Sequence, residues 1–217
     1  PPHLKILIFL SSLNLYNFCM KNLISLLILL TTTHLYAINI NSKAPNFELT
    51  SHTGKKISTK ELRGKTVILE WYNHGCPFVR KHYDSGNMQK TQKLARKDSN
   101  TIWLSIVSSA KNKQGYLATV VDAQNKHKEE KSLANFILLD QDGSVGRLYE
   151  AKRTPEIFII DKKGILKYMG AIDSIPSADK SDIKKAKNYI SEALDQLTKG
   201  QKITTAKTKA YGCSIKY

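Results

Sequence analysis

Cys76 stands where a thiol can do chemistry. It follows the continuous β-rich run Thr66-Val67-Ile68-Leu69-Glu70-Trp71-Tyr72 and precedes Pro77, which suits a first helical position. A sulfur at such a strand-to-helix junction feels unpaired amides and the positive end of the helix dipole, both of which stabilise thiolate. His74 before it, and Arg80, Lys81 and His82 in the next turn, act in the same direction. Surroundings of this kind lower a cysteine pKa from ~8.5 toward ~3.5–7.5. Glu70 lies six residues earlier on the strand, where a half-buried carboxylate can exchange protons with the thiol. The bland alternative is a buried structural cysteine beside a solvated Glu70. His74, Cys76 and His82 also offer soft nitrogen and sulfur donors to an ion such as copper. No second cysteine stands nearby to complete that set, so neither a metal nor a cofactor is expected.

The elements that must position Cys76 read as one α/β unit. Asn46 to Thr50 and Lys56 to Ser58 alternate around His52-Thr53-Gly54 as an N-terminal hairpin. Residues 66–72 form a buried strand, and a helix is expected from Pro77 to about Lys97. Thr101 to Val107 and Phe136 to Asp140 are further strands. Between them the polar stretch 108–135 reads as an insertion with a helix near 117–131. Glu156 to Asp161 and Ile165 to Gly170 flank the turn Lys162-Lys163-Gly164 as a second hairpin. Ile183, Ala186, Ile190, Ala193, Leu194 and Leu197 share one helical face, stopped by Gly200. Residues 201–217 have no period and read as a flexible tail. Strands alternating with helices, then a closing hairpin and helix, make a mixed central sheet with helices on both faces.

The 217 residues, 41% hydrophobic and 24% charged, fit one domain with a sizeable core. Residues 1–37 stand apart from it. They hold no acidic residue, and from Met20 they run Met-Lys-Asn, then apolar Leu23 to Leu30, then polar residues closing at Leu35-Tyr36-Ala37. That layout reads as a secretory signal with cleavage near Ala37, and so as export, with a periplasmic location expected. The apolar run is too short to span a bilayer at ~20 residues per helix. Residues 1–19, which open Pro-Pro, read as lying upstream of a start at Met20. The domain then covers 38–200 and the tail 201–217. Removing the leader discards Cys19 and leaves Cys76 and Cys213, a pair permitted a disulfide outside the cytoplasm.

The net charge of +16 rests on 34 Lys and Arg, but only five are Arg and the Lys are scattered. Base readout and phosphate clamping favour clustered Arg among aromatics, so no nucleic-acid partner is expected. A solvated Lys-rich surface remains, with peripheral contact to an anionic membrane surface open to it. The oligomeric state stays open.

Glu70-Trp71-Tyr72-Asn73-His74-Gly75-Cys76-Pro77, with Arg153-Thr154-Pro155-Glu156-Ile157-Phe158-Ile159-Ile160-Asp161, resembles the thioredoxin fold. More narrowly, the chain resembles redoxins of the alkyl hydroperoxide reductase/thiol-specific antioxidant (AhpC/TSA) family, in the peroxiredoxin-like branch. Ala44 to Leu49, Leu139 to Gly143 and the ending Tyr211 to Tyr217 fit the same pattern, over roughly 43 to 217. The resemblance implies that Cys76 is the attacking thiol and that Glu70 takes the place of a buried proton-shuttling Asp. It implies that Pro155 is a cis-proline beside the thiol, preceded by Thr154, so that Thr154, Pro155, Pro77 and Asn73 shape a substrate groove. The departures are equally clear. Val79 stands where thioredoxins have a second cysteine. Asn73 replaces the threonine of peroxiredoxins, and Leu69 their proline. Pro155 falls where their catalytic arginine would be, with Arg153 close but not equivalent and Arg80 a stand-in.

Cys213 can resolve a sulfenic acid or mixed disulfide on Cys76, form a structural disulfide with it, or remain a free thiol. The expectation is an exported thiol-based oxidoreductase acting on disulfide or peroxide substrates, with peroxidase activity put in doubt by the missing residues. Its partners would be an external thiol reductant or a protein disulfide. The alternative is a non-catalytic thioredoxin-fold module binding a protein or a soft metal ion.

Overall fold

A computed structural model describes residues 38–217. The leader expected over 1–37 lies outside the described residues. Among the described residues there are nine strands: β1 Glu48–Ser51, β2 Lys56–Ser58, β3 Thr66–Trp71, β4 Thr101–Val107, β5 Phe136–Leu139, β6 Arg153–Thr154, β7 Glu156–Ile160, β8 Leu166–Gly170 and β9 Cys213–Ser214. Seven make one sheet in the order β2-β1-β5-β4-β3-β7-β8, while β6 and β9 form a separate two-stranded ribbon. β3, β4 and β5 run parallel, and β7 lies antiparallel to β3 with Leu69 opposite Phe158. β3 is buried on both faces, which its unbroken apolar run requires.

Alternation along β3 divides the core. Ile68 and Tyr72 face a layer containing Cys76, Val79, Tyr83, Met88, Trp103, Ile190 and Ala193. Val67, Leu69 and Trp71 face the other layer, with Leu104, Tyr149 and Phe158. The first layer is roofed by α1 Pro77–Asp84, α2 Asn87–Ala95, α3 Val120–Glu129 and α5 Tyr189–Thr198. The second takes the short α4 Ser144–Leu148 and the segment from Ile38 to Phe47. Helices on both faces of a mixed sheet agree with the expected class.

Three elements differ from expectation. The helix expected from 77 to about 97 is two helices. Ser85 Oγ bonds back to Lys81 O at 2.6 Å, and Gly86 takes a left-handed φ of 75°, a helix-ending conformation open to glycine. The last helix starts only at Tyr189, because Asn188 Oδ1 accepts the amides of Ile190 and Ser191 at 3.0 and 2.9 Å. Ile183 belongs instead to a 3₁₀ turn at Lys180–Lys184. The tail, expected to be flexible, is built into the domain. Its Thr208 amide donates to Met169 O at 3.1 Å, Ile203 is buried, and Tyr217 OH reaches Ala151 O at 2.8 Å. Long-range pairing, which leaves no helical period, orders it.

Candidate active site at the strand–helix junction

Cys76 is the N-cap of α1, with an extended backbone at φ −82° and ψ 124°. Its amide donates to Asn73 O at 3.0 Å, and Arg80 N donates to Cys76 O at 2.9 Å to begin the helix. Asn73 is buried and organises the turn: its Oδ1 accepts the Gly75 amide at 2.9 Å, and its Nδ2 donates to Gln114 O at 3.0 Å. Gln114 Nε2 returns a bond to Gly75 O at 3.0 Å. The stretch 108–135 therefore clasps the cysteine loop. Pro77 follows at the first helical position and is exposed.

The Cys76 sulfur has no exposed surface, and its S–H donates to Thr154 O at 3.1 Å. The Thr154–Pro155 peptide is cis. β6 pairs antiparallel with β9 so that Thr154 lies opposite Cys213, which brings the second thiol to the first. At Gly212 the chains approach so closely that a Cβ would sit 2.1 Å from Thr154 O. Both cysteines are free thiols in this structure.

The two thiols are shifted in opposite directions. Burial pushes Cys76 up, but hydrogen bonding from the Cys213 thiol, from the Thr154 side chain and from the Val79 and Cys213 amides outweighs it, and its pKa is lowered. The Val79 amide is one of the first-turn donors without a helical partner. Thr154 Oγ1 is buried and unpaired in the thiol state, hence available to a thiolate. Cys213 is pushed up to about 11, first by burial and then by its bond to Cys76 and the charge there. Cys213 remains partly exposed.

Other expected site residues lie elsewhere. Glu70 is fully buried, not half-buried, and its oxygens face away into a donor net. Tyr83 OH reaches Oε1 at 2.9 Å, while Trp103 Nε1 and Ser105 Oγ each reach Oε2 at 2.8 Å. Burial raises its pKa despite these donors. No hydrogen bond joins Glu70 to Cys76. Arg80 turns away from the sulfur: Nη2 meets Glu130 Oε1 at 2.6 Å and Nη1 meets Asp84 Oδ1 at 3.1 Å. Tyr72 OH shares that Glu130 oxygen at 2.7 Å. The His74 pKa is lowered by burial and then by Lys126. Arg153 is exposed.

The copper set is not assembled. His82 Nδ1 faces Asn87 Nδ2 at 2.8 Å, and its Nε2 faces Tyr211 OH at 3.4 Å. Among the described residues, no three His, Cys, Asp or Glu gather as a metal site. A cleft of about 550 Å³ lies beside the tail, lined by Arg153, Tyr189, Lys209, Tyr211 and Gly212 among others. Gln114 and Glu130 went unread in the sequence, and Tyr211 was read only as part of the chain's ending. They act across 38 or more residues of chain from the groups they hold, and only Trp103 and Ser105, at alternate positions on β4, left a pattern that places them toward Glu70.

Comparison with known proteins accords with this geometry. The family model described as Redoxin matches residues 39–187, ending before α5 and the tail that carries Cys213. Among solved structures, a hypothetical protein from Sinorhizobium meliloti 1021 is similar at 20% identity and TM-score 0.65, over 83% of this chain and 96% of that one. An uncharacterized conserved protein from Geobacillus kaustophilus is similar at 21% identity and TM-score 0.65, over 84% and 94%. A Bacteroides thetaiotaomicron protein provisionally named a protein disulfide isomerase is similar at 17% identity and TM-score 0.54, over 76% and 91%. No curated protein matches. The sheet order, the cis-proline beside the thiol and these likenesses define a thioredoxin-like fold.

Proposed function

The chain belongs to the Redoxin family, and from that membership we propose that it is a thiol–disulfide oxidoreductase with Cys76 as attacking thiolate and Cys213 as its intramolecular partner. The observation that carries this reading is the β6–β9 pairing, which sets Cys213 opposite Thr154 while the Thr154 carbonyl accepts the Cys76 S–H at 3.1 Å. The lowered Cys76 and raised Cys213 accord with it. In the forward step the Cys76 thiolate attacks a substrate disulfide, forming one S–S bond and expelling one substrate thiolate. Cys213, losing its proton, then attacks the Cys76 sulfur. The second substrate thiolate leaves, and the Cys76–Cys213 disulfide carries the two electrons' worth of oxidation. An external thiolate regenerates the pair by attacking the partly exposed Cys213 sulfur and expelling the Cys76 thiolate. Cys76, whose thiolate is the more stable, is the better leaving group in that step. A second external thiolate then attacks the first one's sulfur, freeing Cys213 and leaving as an external disulfide.

Thr154, Pro155, Asn73 and Pro77 are taken as the substrate-groove residues around Cys76. The nearby cleft is bordered by Arg153 and the tail through Gly212. Disulfide exchange is favoured over peroxide reduction because no guanidinium meets the Cys76 sulfur: Arg80 is held by Glu130 and Asp84. Glu70 accepts hydrogen bonds from Tyr83, Trp103 and Ser105 within the core and makes none to the thiol, so it is not assigned direct proton transfer. The leader pattern from Met20 to Ala37 supports export to a compartment where such a pair is oxidised and reduced in turn.

The test is to mix the reduced full chain with glutathione disulfide and map the products by mass spectrometry. The expected product is a Cys76–Cys213 disulfide, with these two of the full chain's three thiols consumed. Glutathione adducts confined to Cys213, with Cys76 intact, would contradict the assignment. A purely binding role predicts in addition that Cys76→Ser leaves partner capture unchanged.

A further inference from the structure

The proposed cycle needs Cys213 beside Cys76, and nothing in it uses a buried charged cluster two residues away. Lys81, on the helix that Cys76 caps, has no exposed surface. Its Nζ donates to Asp173 Oδ2 and to Ile175 O, both at 3.0 Å. The other Asp173 oxygen accepts the hydroxyl of Tyr211. His82, also fully buried, lies with Nε2 3.4 Å from that hydroxyl and 3.7 Å from Asp173 Oδ2. The Tyr211 ring is packed edge-on to Phe78, with centroids 5.9 Å apart, and carries the Lys81 ammonium 5.6 Å from its centre. Three parts of the chain meet here: α1, the loop after β8, and the tail.

Burying an ammonium and a carboxylate together is costly, and pairing them repays that cost only when the remaining hydrogen-bonding positions are also filled. The Tyr211 hydroxyl fills one of them. Asp173 Oδ1 also accepts the Ile175 amide at 3.1 Å, so withdrawing the tail would leave it that one donor and remove the hydroxyl, which favours the docked tail. Beyond the cysteine, the tail is tied again. Ala110 N donates to Lys216 O at 2.7 Å, and Tyr217 OH donates to Ala151 O at 2.8 Å. Cys213 is strung between these two anchors, and Gly212, at φ 123°, lets the strand press against Thr154 O.

We propose that Tyr211 is a positioning residue for the cysteine pair, its hydroxyl fixing the tail to the Lys81–Asp173 ion pair so that Cys213 is presented to Cys76. This rests on the reading of the two cysteines as a redox pair. The anchor sets the effective concentration of one thiol toward the other. Lys81, one half of the ion pair, sits on the same short helix that begins at Cys76, while Asp173, which accepts the hydroxyl, lies in the loop after β8.

The experiment equilibrates full-length protein with defined ratios of reduced and oxidised glutathione. Two protein thiols and one glutathione disulfide give one Cys76–Cys213 disulfide and two glutathione thiols. Tyr211→Phe keeps the ring against Phe78 and removes only the hydroxyl. It should lower the equilibrium constant for the internal disulfide at least tenfold, ~30 mV for a two-electron couple. The rate of Cys76 alkylation in a Cys213→Ser background should stay within twofold. Tyr217→Phe, at the second anchor, serves as a variant outside the ion-pair cluster and should shift the constant less. An unchanged constant in Tyr211→Phe would overturn the inference. So would equal losses in both tyrosine variants, which would point to general loosening of the tail. Should Tyr211→Phe fail to fold, Asp173→Asn, which retains an acceptor for the hydroxyl, must show a smaller shift than Asp173→Ala, or the inference falls. Absence of the internal disulfide in the wild-type chain would refute the redox-pair reading itself, a separate outcome.

Discussion

The two cysteine regions are built from opposite materials. Cys76 stands on the most local structure in the molecule, a buried strand running into a helix, with its own loop and first-turn amides around the sulfur. Cys213 stands on a strand of two residues, held only by contacts to distant chain. The first region lowers its thiol although it is fully buried; the second raises its thiol, through partial burial and then through its bond to Cys76 and the charge there. Burial alone orders the pair wrongly. Hydrogen-bond donors decide the matter, because a thiolate supplied with several donors is stabilised by more than desolvation costs it. Once one sulfur is favoured as the anion, its charge holds the other as a thiol.

Serine exchanges should break this asymmetry most completely. Cys76→Ser should abolish disulfide exchange, by about 10³-fold or more in a turnover assay, since no nucleophile replaces it. Cys213→Ser should instead stall at a mixed disulfide on Cys76, which intact-mass measurement of a single turnover would detect. Equal residual rates in the two variants would erase the distinction between the regions.

Next in size is Gly212→Ala. The new Cβ would meet Thr154 O at 2.1 Å, and the residue keeps a φ of 123° that other side chains rarely adopt. The strand pair must part, so stopped-flow formation of the internal disulfide should slow by tenfold or more while the global melting temperature changes by only a few degrees. A rate within twofold of wild type would show that β9 pairing does not place Cys213.

The smallest effect should come from Glu70→Gln, which sharpens the comparison by removing a carboxyl that the thiols do not touch. Burial raises the Glu70 pKa above its ordinary 4.5. The stability drawn from the protonated carboxyl is fully present below that ordinary value and is lost as pH rises through the higher native value. Denaturant midpoints of the wild type should therefore fall with pH above about 4.5 relative to the Gln variant. Exchange rates at neutral pH should differ by less than threefold, and a tenfold loss would restore Glu70 to direct proton transfer.

What could be read from the sequence follows the same division. Strand β3, its paired neighbours, the hairpin of β7 and β8 and the place of Cys76 were all visible in local apolar runs and in Pro77. The break between α1 and α2 was harder, since a serine folding back on Lys81 and one left-handed glycine end a pattern that otherwise continues. The tail carried no period, because its order comes from Thr208 on β8, Tyr211 on Asp173 and Tyr217 on Ala151, contacts that span 38 to 66 residues. Charge at positions 74 and 80 was legible, but not its direction. Only the fold shows that Arg80 is occupied by Glu130, which the insertion brings over the helix.

The most direct measurement is the pH dependence of alkylation at each cysteine of the reduced full-length protein, resolved by peptide mass spectrometry. The account predicts a Cys76 midpoint below the ordinary thiol value of 9.0 and a Cys213 midpoint displaced upward to about 11. Coincident midpoints, or a Cys213 that ionises first, would contradict it.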